Sequence, residues 1–143
     1  MKRRTFLAAT IAALLVGCAT SGMRPSELKS SLTPLEPDEG RIFFYRTASP
    51  LGAAVQPEIK LNGVAVGTSK PGGYFYVDRP AGKYEAHAST EVDRMVSFVL
   101  APGETKYIRT SPSFGVLVGR IKFELMSASE AEVQMASLHY TGT

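Results

Sequence analysis

Leu117-Val118-Gly119-Arg120-Ile121-Lys122-Phe123-Glu124-Leu125 decides the fold. Leu117, Gly119, Ile121, Phe123 and Leu125 alternate with Val118, Arg120, Lys122 and Glu124, the period of two that a half-buried strand requires and a helix does not. One side of this strand is expected to face a core and the other solvent.

The same alternation runs upstream, punctuated by turn residues. Gly40-Arg41-Ile42-Phe43-Phe44-Tyr45-Arg46 is the most aromatic segment. Ile59-Lys60-Leu61 and Val64-Ala65-Val66 flank Asn62-Gly63, a dipeptide that tolerates the positive φ of a type I′ hairpin turn. Pro71-Gly72-Gly73 leads into Tyr74-Phe75-Tyr76-Val77, and Pro80-Ala81-Gly82 into Lys83-Tyr84-Glu85-Ala86-His87-Ala88. In the latter, Tyr84, Ala86 and Ala88 are expected inward. Val96, Phe98 and Leu100 share one face, and Pro102-Gly103 turns into Thr105-Lys106-Tyr107-Ile108-Arg109.

Pro80 to Tyr84 and Pro102 to Tyr107 each place a tyrosine soon after a Pro/Gly turn, where it packs inward at the start of the next strand. This spacing suits Ig-like and transthyretin-like sandwiches.

Downstream the period changes. Ser127 to Glu130 and Ser129 to Glu132 are overlapping capping-box patterns, followed by Val133, Ala136 and Leu138 at helical spacing. They predict a short helix over about 129–138 with those three residues inward. The fold class is mainly β: seven or eight mostly antiparallel strands in a small sandwich or partly open barrel, plus one C-terminal helix.

The N-terminus is organised differently. Lys2, Arg3 and Arg4 precede an apolar run from Thr5 to Val16, too short to span a bilayer core that needs about 20 residues. Leu15-Val16-Gly17-Cys18 follows and matches the lipobox of bacterial lipoprotein signals. There the thiol takes a diacylglyceryl group, and the small Gly17 lets a peptidase reach the bond before Cys18. The chain has one cysteine, so no disulfide forms within it, and lipidation accounts for the lone thiol. Arg3-Arg4-Thr5-Phe6-Leu7 resembles a twin-arginine signal, although a general secretory signal using two arginines is the plainer reading. Ala19 after the cysteine fits sorting to the outer membrane. Thr20 to Asp38, rich in Ser, Thr, Pro and charge, reads as a flexible tether. The chain thus divides into a signal (1–17), a lipidated tether (18–38) and a β-domain (39–140).

The full chain carries a net charge of +3, but loss of Lys2, Arg3 and Arg4 leaves 13 basic against 13 acidic residues. That balance argues against nucleic-acid binding and against a polybasic membrane anchor.

Arg41 to Arg46, Leu61-Asn62-Gly63 with Val66-Gly67, Gly73-Tyr74-Phe75, Pro80-Ala81-Gly82-Lys83-Tyr84 and Pro102 to Arg109 together resemble the bacterial lipoprotein family called domain of unknown function 2846. The resemblance covers about residues 38–136. It implies a β-sandwich on an envelope lipoprotein and carries no catalytic residue. Ala81 departs from the commoner Pro-Gly and implies a looser turn.

Reactive constellations are sparse. His87 reads as a solvent-face strand residue and His139 as tail, neither with a ligand-spaced partner, so no metal or cofactor is expected. No Gly-x-Ser-x-Gly elbow occurs. Gly67 to Gly73 lacks Walker spacing and reads as a strand connection. Glu85 with Glu91 or Asp93 is a poor carboxylate pair for glycoside chemistry. Arg46 and Arg109 end apolar strands and are expected to pair with acidic neighbours.

If Ile42, Phe44, Phe75 and Val77 face inward, then Phe43, Tyr45, Tyr74 and Tyr76 form the opposite face. Exposed, they suit contact with an envelope protein or glycan; alternatively the helix or the tether covers them. The expectation is a non-enzymatic binding or structural module, held by acyl chains on Cys18 at the periplasmic face of the outer membrane. The competing expectations are an envelope hydrolase assembled around His87 and a small-ligand carrier using the sandwich interior.

Overall fold

Asn62 and Gly63 adopt φ of 49° and 81°, the left-handed pair that a type I′ turn requires. They join β2 (Glu58–Leu61) to β3 (Val64–Thr68), and the Asn62 carboxamide ties the turn to β5 (Gly82–Ala88) by accepting from Glu85 N–H and donating to Lys83 O. The computed structural model describes residues 22–89, 91–113 and 120–142, with backbone alone for 91–93. The lipobox residues Leu15, Val16, Gly17 and Cys18, the rest of the signal, and Leu117 to Gly119 lie outside these residues, as do the side chains of Glu91 and Asp93.

Two sheets form. The four-stranded sheet has the order β3-β2-β5-β6, where β6 is Glu91–Leu100. The five-stranded sheet has the order β8-β7-β1-β4-β9, from β1 (Glu39–Arg46), β4 (Gly73–Pro80), β7 (Thr105–Ser113), β8 (Arg120–Met126) and the two-residue β9 (His139–Tyr140). Most neighbours are antiparallel, as the turn spacing implied. Two pairings are parallel: β1 with β7 and β4 with β9. Both follow from non-local return of the chain, since β7 re-enters beside β1 only after β5 and β6 have been laid down in the other sheet.

Between the sheets lies the main core. Ile42, Phe44, Ile108 and Ile121 from one sheet meet Ile59, Leu61, Ala86, Phe98 and Leu100 from the other. Phe44 stacks on Phe75, ring centroids 5.2 Å apart. Gly67 is glycine for a steric reason, because a Cβ there would lie 2.5 Å from the Phe75 ring. Tyr84 packs on this core and its hydroxyl donates to Pro80 O at 2.6 Å, fixing the turn at Pro80-Ala81-Gly82.

The strand parity of Ile42, Phe44, Phe75, Ala86, Ala88, Phe98 and Leu100 matches the sequence reading. Three other expectations are corrected. Leu125 shares the face of Ile121 and Phe123, opposite buried Ile108, but on the edge strand β8 it is 44% exposed. Tyr107 points away from the sandwich, since Ile108 takes the inward position next to it. Arg46 is buried without a carboxylate: it donates to Val55 O, Gly52 O and Ser69 O instead. Arg109 does pair with Glu124, at 2.7 Å.

A third layer covers the outer face of the five-stranded sheet. Helix α1 (Pro25–Leu28) begins with a proline at its first turn, and Glu27 accepts from Arg24 N–H at 2.8 Å. Helix α2 (Ala128–Met135) is capped by Ser127, whose hydroxyl accepts from Glu130 N–H while Glu130 reaches back to Ser127 N–H. The capping box therefore starts the helix one residue earlier than expected and sets its phase. Ala131 and Met135 face inward with Leu138, whereas Val133 is 79% exposed and Ala136 also faces solvent.

Of the flexible tether expected over residues 18–38, the part from Gly22 onward is instead held against the domain through α1, while residues 18–21 lie outside the described residues. Leu28 is buried, Leu32 packs beside it, and Tyr74 Oη donates to Met23 O at 2.9 Å. Apolar burial of Leu28 supplies about 2 kcal/mol toward holding this segment down. His139 is not tail either, for it pairs with Gly73 in β9 and its Nδ1 lies 3.1 Å from Gly22 O.

Candidate functional site

The aromatic face of β1 and β4 is where function was sought, and the register brings its residues together. Phe43 lies opposite Tyr76, and Tyr45 opposite Tyr74, across the antiparallel pair. Strand alternation then puts all four on the side away from the sandwich. Of the two alternatives, an open face or one covered by the helix or the segment before β1, the structure shows the second. Phe43, Tyr45 and Tyr74 are buried and Tyr76 is half-buried, because α1, α2 and Tyr140 cover them. β1 is consequently buried on both faces, as a central strand between two cores.

The hydroxyls of the two buried tyrosines are satisfied, that of Tyr74 by Met23 O. Tyr45 Oη donates to Gln134 Oε1 at 2.9 Å, and Arg109 Nη1 donates to the same oxygen at 3.3 Å. Burial pushes the Tyr45 hydroxyl pKa up and the Tyr74 hydroxyl up to about 12. Tyr140 meets Tyr74 edge-on at 5.6 Å.

The cover is incomplete. Between α1 and α2 a groove of about 510 Å³ opens onto the sheet. Its floor is Phe43 stacked on Tyr107, centroids 5.3 Å apart and planes 9° from parallel. Leu28 and Leu32 form one wall and Met135 with Ala136 the other. Ser26, Lys29, Thr105 and Glu132 supply the polar rim. Burial, with Glu132 nearby, raises the Tyr107 hydroxyl pKa.

Arg41 holds one end of the groove in place. It makes a two-pronged pair with Asp78, Nε to Oδ1 at 2.7 Å and Nη2 to Oδ2 at 2.8 Å, and Nη2 also donates to Thr33 O at 2.7 Å. Its guanidinium carbon sits 4.8 Å from the Tyr76 ring centroid, a cation–π distance. The hydrogen bond to Asp78 raises the Arg41 pKa further. One side chain thereby ties residue 33, β1 and β4 together.

Such an arrangement can bind an apolar group and fix its orientation at the rim. The volume lies within the roughly 300–1,000 Å³ of small-ligand sites. By contrast, the void of about 140 Å³ beside Arg46 in the sandwich interior has no room for water. For the hydrolase reading, His87 lies on β5 facing away from Ala86 and Ala88, and among the described residues no hydrogen bond joins it to a serine or a carboxylate. Among the described residues, no group of three or more His, Cys, Asp or Glu side chains gathers in metal-binding geometry.

Sequence reasoning missed Leu28, Leu32, Arg41, Tyr107 and Met135. A signal existed for α1 in Pro25 followed by Glu27, and for Tyr107 in its alternation with Ile108.

Residues 36–134 match the family described as proteins of unknown function, DUF2846. The chain belongs to that family. The match begins after α1 and ends within α2, so it contains every strand but β9, and the groove's α1 wall lies outside it. An uncharacterized protein of Haemophilus influenzae is 26% identical over 133 residues, covering 90% of this chain and 79% of that protein. No solved structure matches.

Proposed function

We propose that this DUF2846 protein is an exported lipoprotein, anchored in the outer membrane through acyl chains on Cys18, with its domain in the periplasm acting as a non-enzymatic binding module. The single observation that carries the binding role is the groove floored by Phe43 and Tyr107, an apolar opening of about 510 Å³. Leu15-Val16-Gly17-Cys18 carries the anchor. The contact once expected on an open aromatic sheet moves to this groove, and its apolar lining favours an apolar group over a glycan or a polar protein surface.

The anchor is tested by growing cells with labelled palmitate and comparing the chain with Cys18→Ala. Label on the chain and co-sedimentation with outer membranes, both lost in Cys18→Ala, is the expected result. Label that survives the substitution overturns the reading.

A further inference from the structure

We propose that the groove between α1, α2 and the five-stranded sheet receives one acyl chain of the lipid on Cys18 of the same molecule. The proposal rests on the lipid anchor argued above and names the occupant of the groove.

The length of chain between anchor and fold is the first argument. Gly22 is already held, through His139 Nδ1 at 3.1 Å from its carbonyl, and Met23 O accepts from both Tyr140 N–H and Tyr74 Oη. Cys18 precedes Gly22 by four residues, a reach of about 14 Å when fully extended. The domain therefore has no long tether, and it sits within that distance of its own lipid.

The second argument is where the chain goes next. Pro25, three residues after Gly22, already lines the groove, as do Ser26 and Leu28. The segment that leaves the anchor is thus itself the groove's wall. A group attached at Cys18 meets the opening at the high effective concentration of a short link, without diffusing to it.

The chemistry of the lining is the third. Above the buried Leu28, Phe43 and Met135, half-buried Leu32 and Tyr107 and exposed Ala136 leave apolar surface open to water, and covering it is favourable. An acyl chain loses little by the exchange, because a groove of Leu, Phe and Met is about as apolar as lipid. With one chain in the groove, the remaining acyl chains on Cys18 still hold the membrane.

The test uses the full chain in cells grown with a diazirine-bearing palmitate, irradiated before extraction. Mass spectrometry then seeks a crosslink between the Cys18 peptide and Leu32, Phe43 or Met135. Ala136→Phe and Ser26→Phe fill the groove from opposite walls; Ala136 is exposed, and thermal unfolding checks that both variants fold. Each should lower the crosslink about tenfold, the effect of displacing roughly two buried methylenes, while label on Cys18 stays unchanged. Labelled Cys18 without the crosslink overturns the proposal and leaves the anchor standing. So does a groove adduct with free phospholipid, or a crosslink joining isotopically distinct copies. Absence of label on Cys18 overturns the anchor itself.

Discussion

Tyr45 Oη and Gln134 Oε1 lie 2.9 Å apart, and this bond fastens α2 to the middle of the five-stranded sheet. An eight-residue helix is marginal on its own. Its position depends on Ala131, Met135 and this one polar contact with the buried strand. Gln134→Leu keeps the volume but strips the buried Tyr45 hydroxyl of its acceptor. The expected loss is about 1–3 kcal/mol in urea unfolding, the cost of an unsatisfied buried group. Tyr45→Phe in the same chain should recover part of it, because the orphaned hydroxyl is then gone. Recovery separates the hydrogen bond from simple loss of packing.

The buried tyrosines make stability sensitive to alkali. Burial pushes Tyr74 up to about 12 from an ordinary 10, so the unfolded chain ionises first. Stability from this group is intact below pH 10 and is lost as pH rises from 10 through 12. The loss approaches about 3 kcal/mol for Tyr74. Tyr45, Tyr107 and Tyr140 are raised by burial too and act in the same direction. Urea midpoints measured at pH 8, 10 and 11 should fall in that order, and Tyr74→Phe should flatten the decline.

The two sheets were legible because strand parity is a local signal. Ile42, Phe44, Phe98 and Leu100 alternate with their neighbours, and Asn62-Gly63 dictates its own turn. The third layer was not legible. Its wall is Leu28 and Leu32, apolar residues without strand alternation in a Ser- and Pro-rich stretch, and their role appears only once Met23 is pinned by Tyr74. The aromatics on both faces of β1 did announce that something covers them. They did not say that two covers would meet imperfectly over Phe43 and leave a groove. Arg46 misled for a similar reason, since its partners are backbone carbonyls of a loop, which no side-chain pattern records.

Arg46 is the pin of that loop. Nη1 donates to Val55 O at 2.6 Å and Nη2 to Gly52 O at 2.7 Å, while Nε is buried with no partner among the described residues. Desolvation lowers its pKa, yet a guanidinium stays charged at any ordinary pH. Arg46→Met removes three charge-assisted bonds, two of them to the loop, and frees residues 47–57. The expected cost is about 3 kcal/mol or more, with limited proteolysis moving into that loop. Arg46→Lys should rescue little, because one ammonium cannot span both carbonyls with the planar fork.

The phase of α2 gives the sharpest contrast between neighbouring positions. Val133 and Met135 are two residues apart and of similar apolar character, and the sequence pattern favoured Val133 as the buried one. Ser127 and Glu130 fix the first turn, which carries Met135 into the core beside Leu138 and turns Val133 outward at 79% exposure. Val133→Lys should therefore change stability by less than about 0.5 kcal/mol. Met135→Lys places an ammonium against Leu28 and Phe43 and should cost about 3 kcal/mol or more. Met135 also lines the groove, so Met135→Leu, which roughly conserves volume, should cost less than about 1.5 kcal/mol and serves as the packing control. Equal sensitivity at 133 and 135 would mean that the capping box does not set the helix phase.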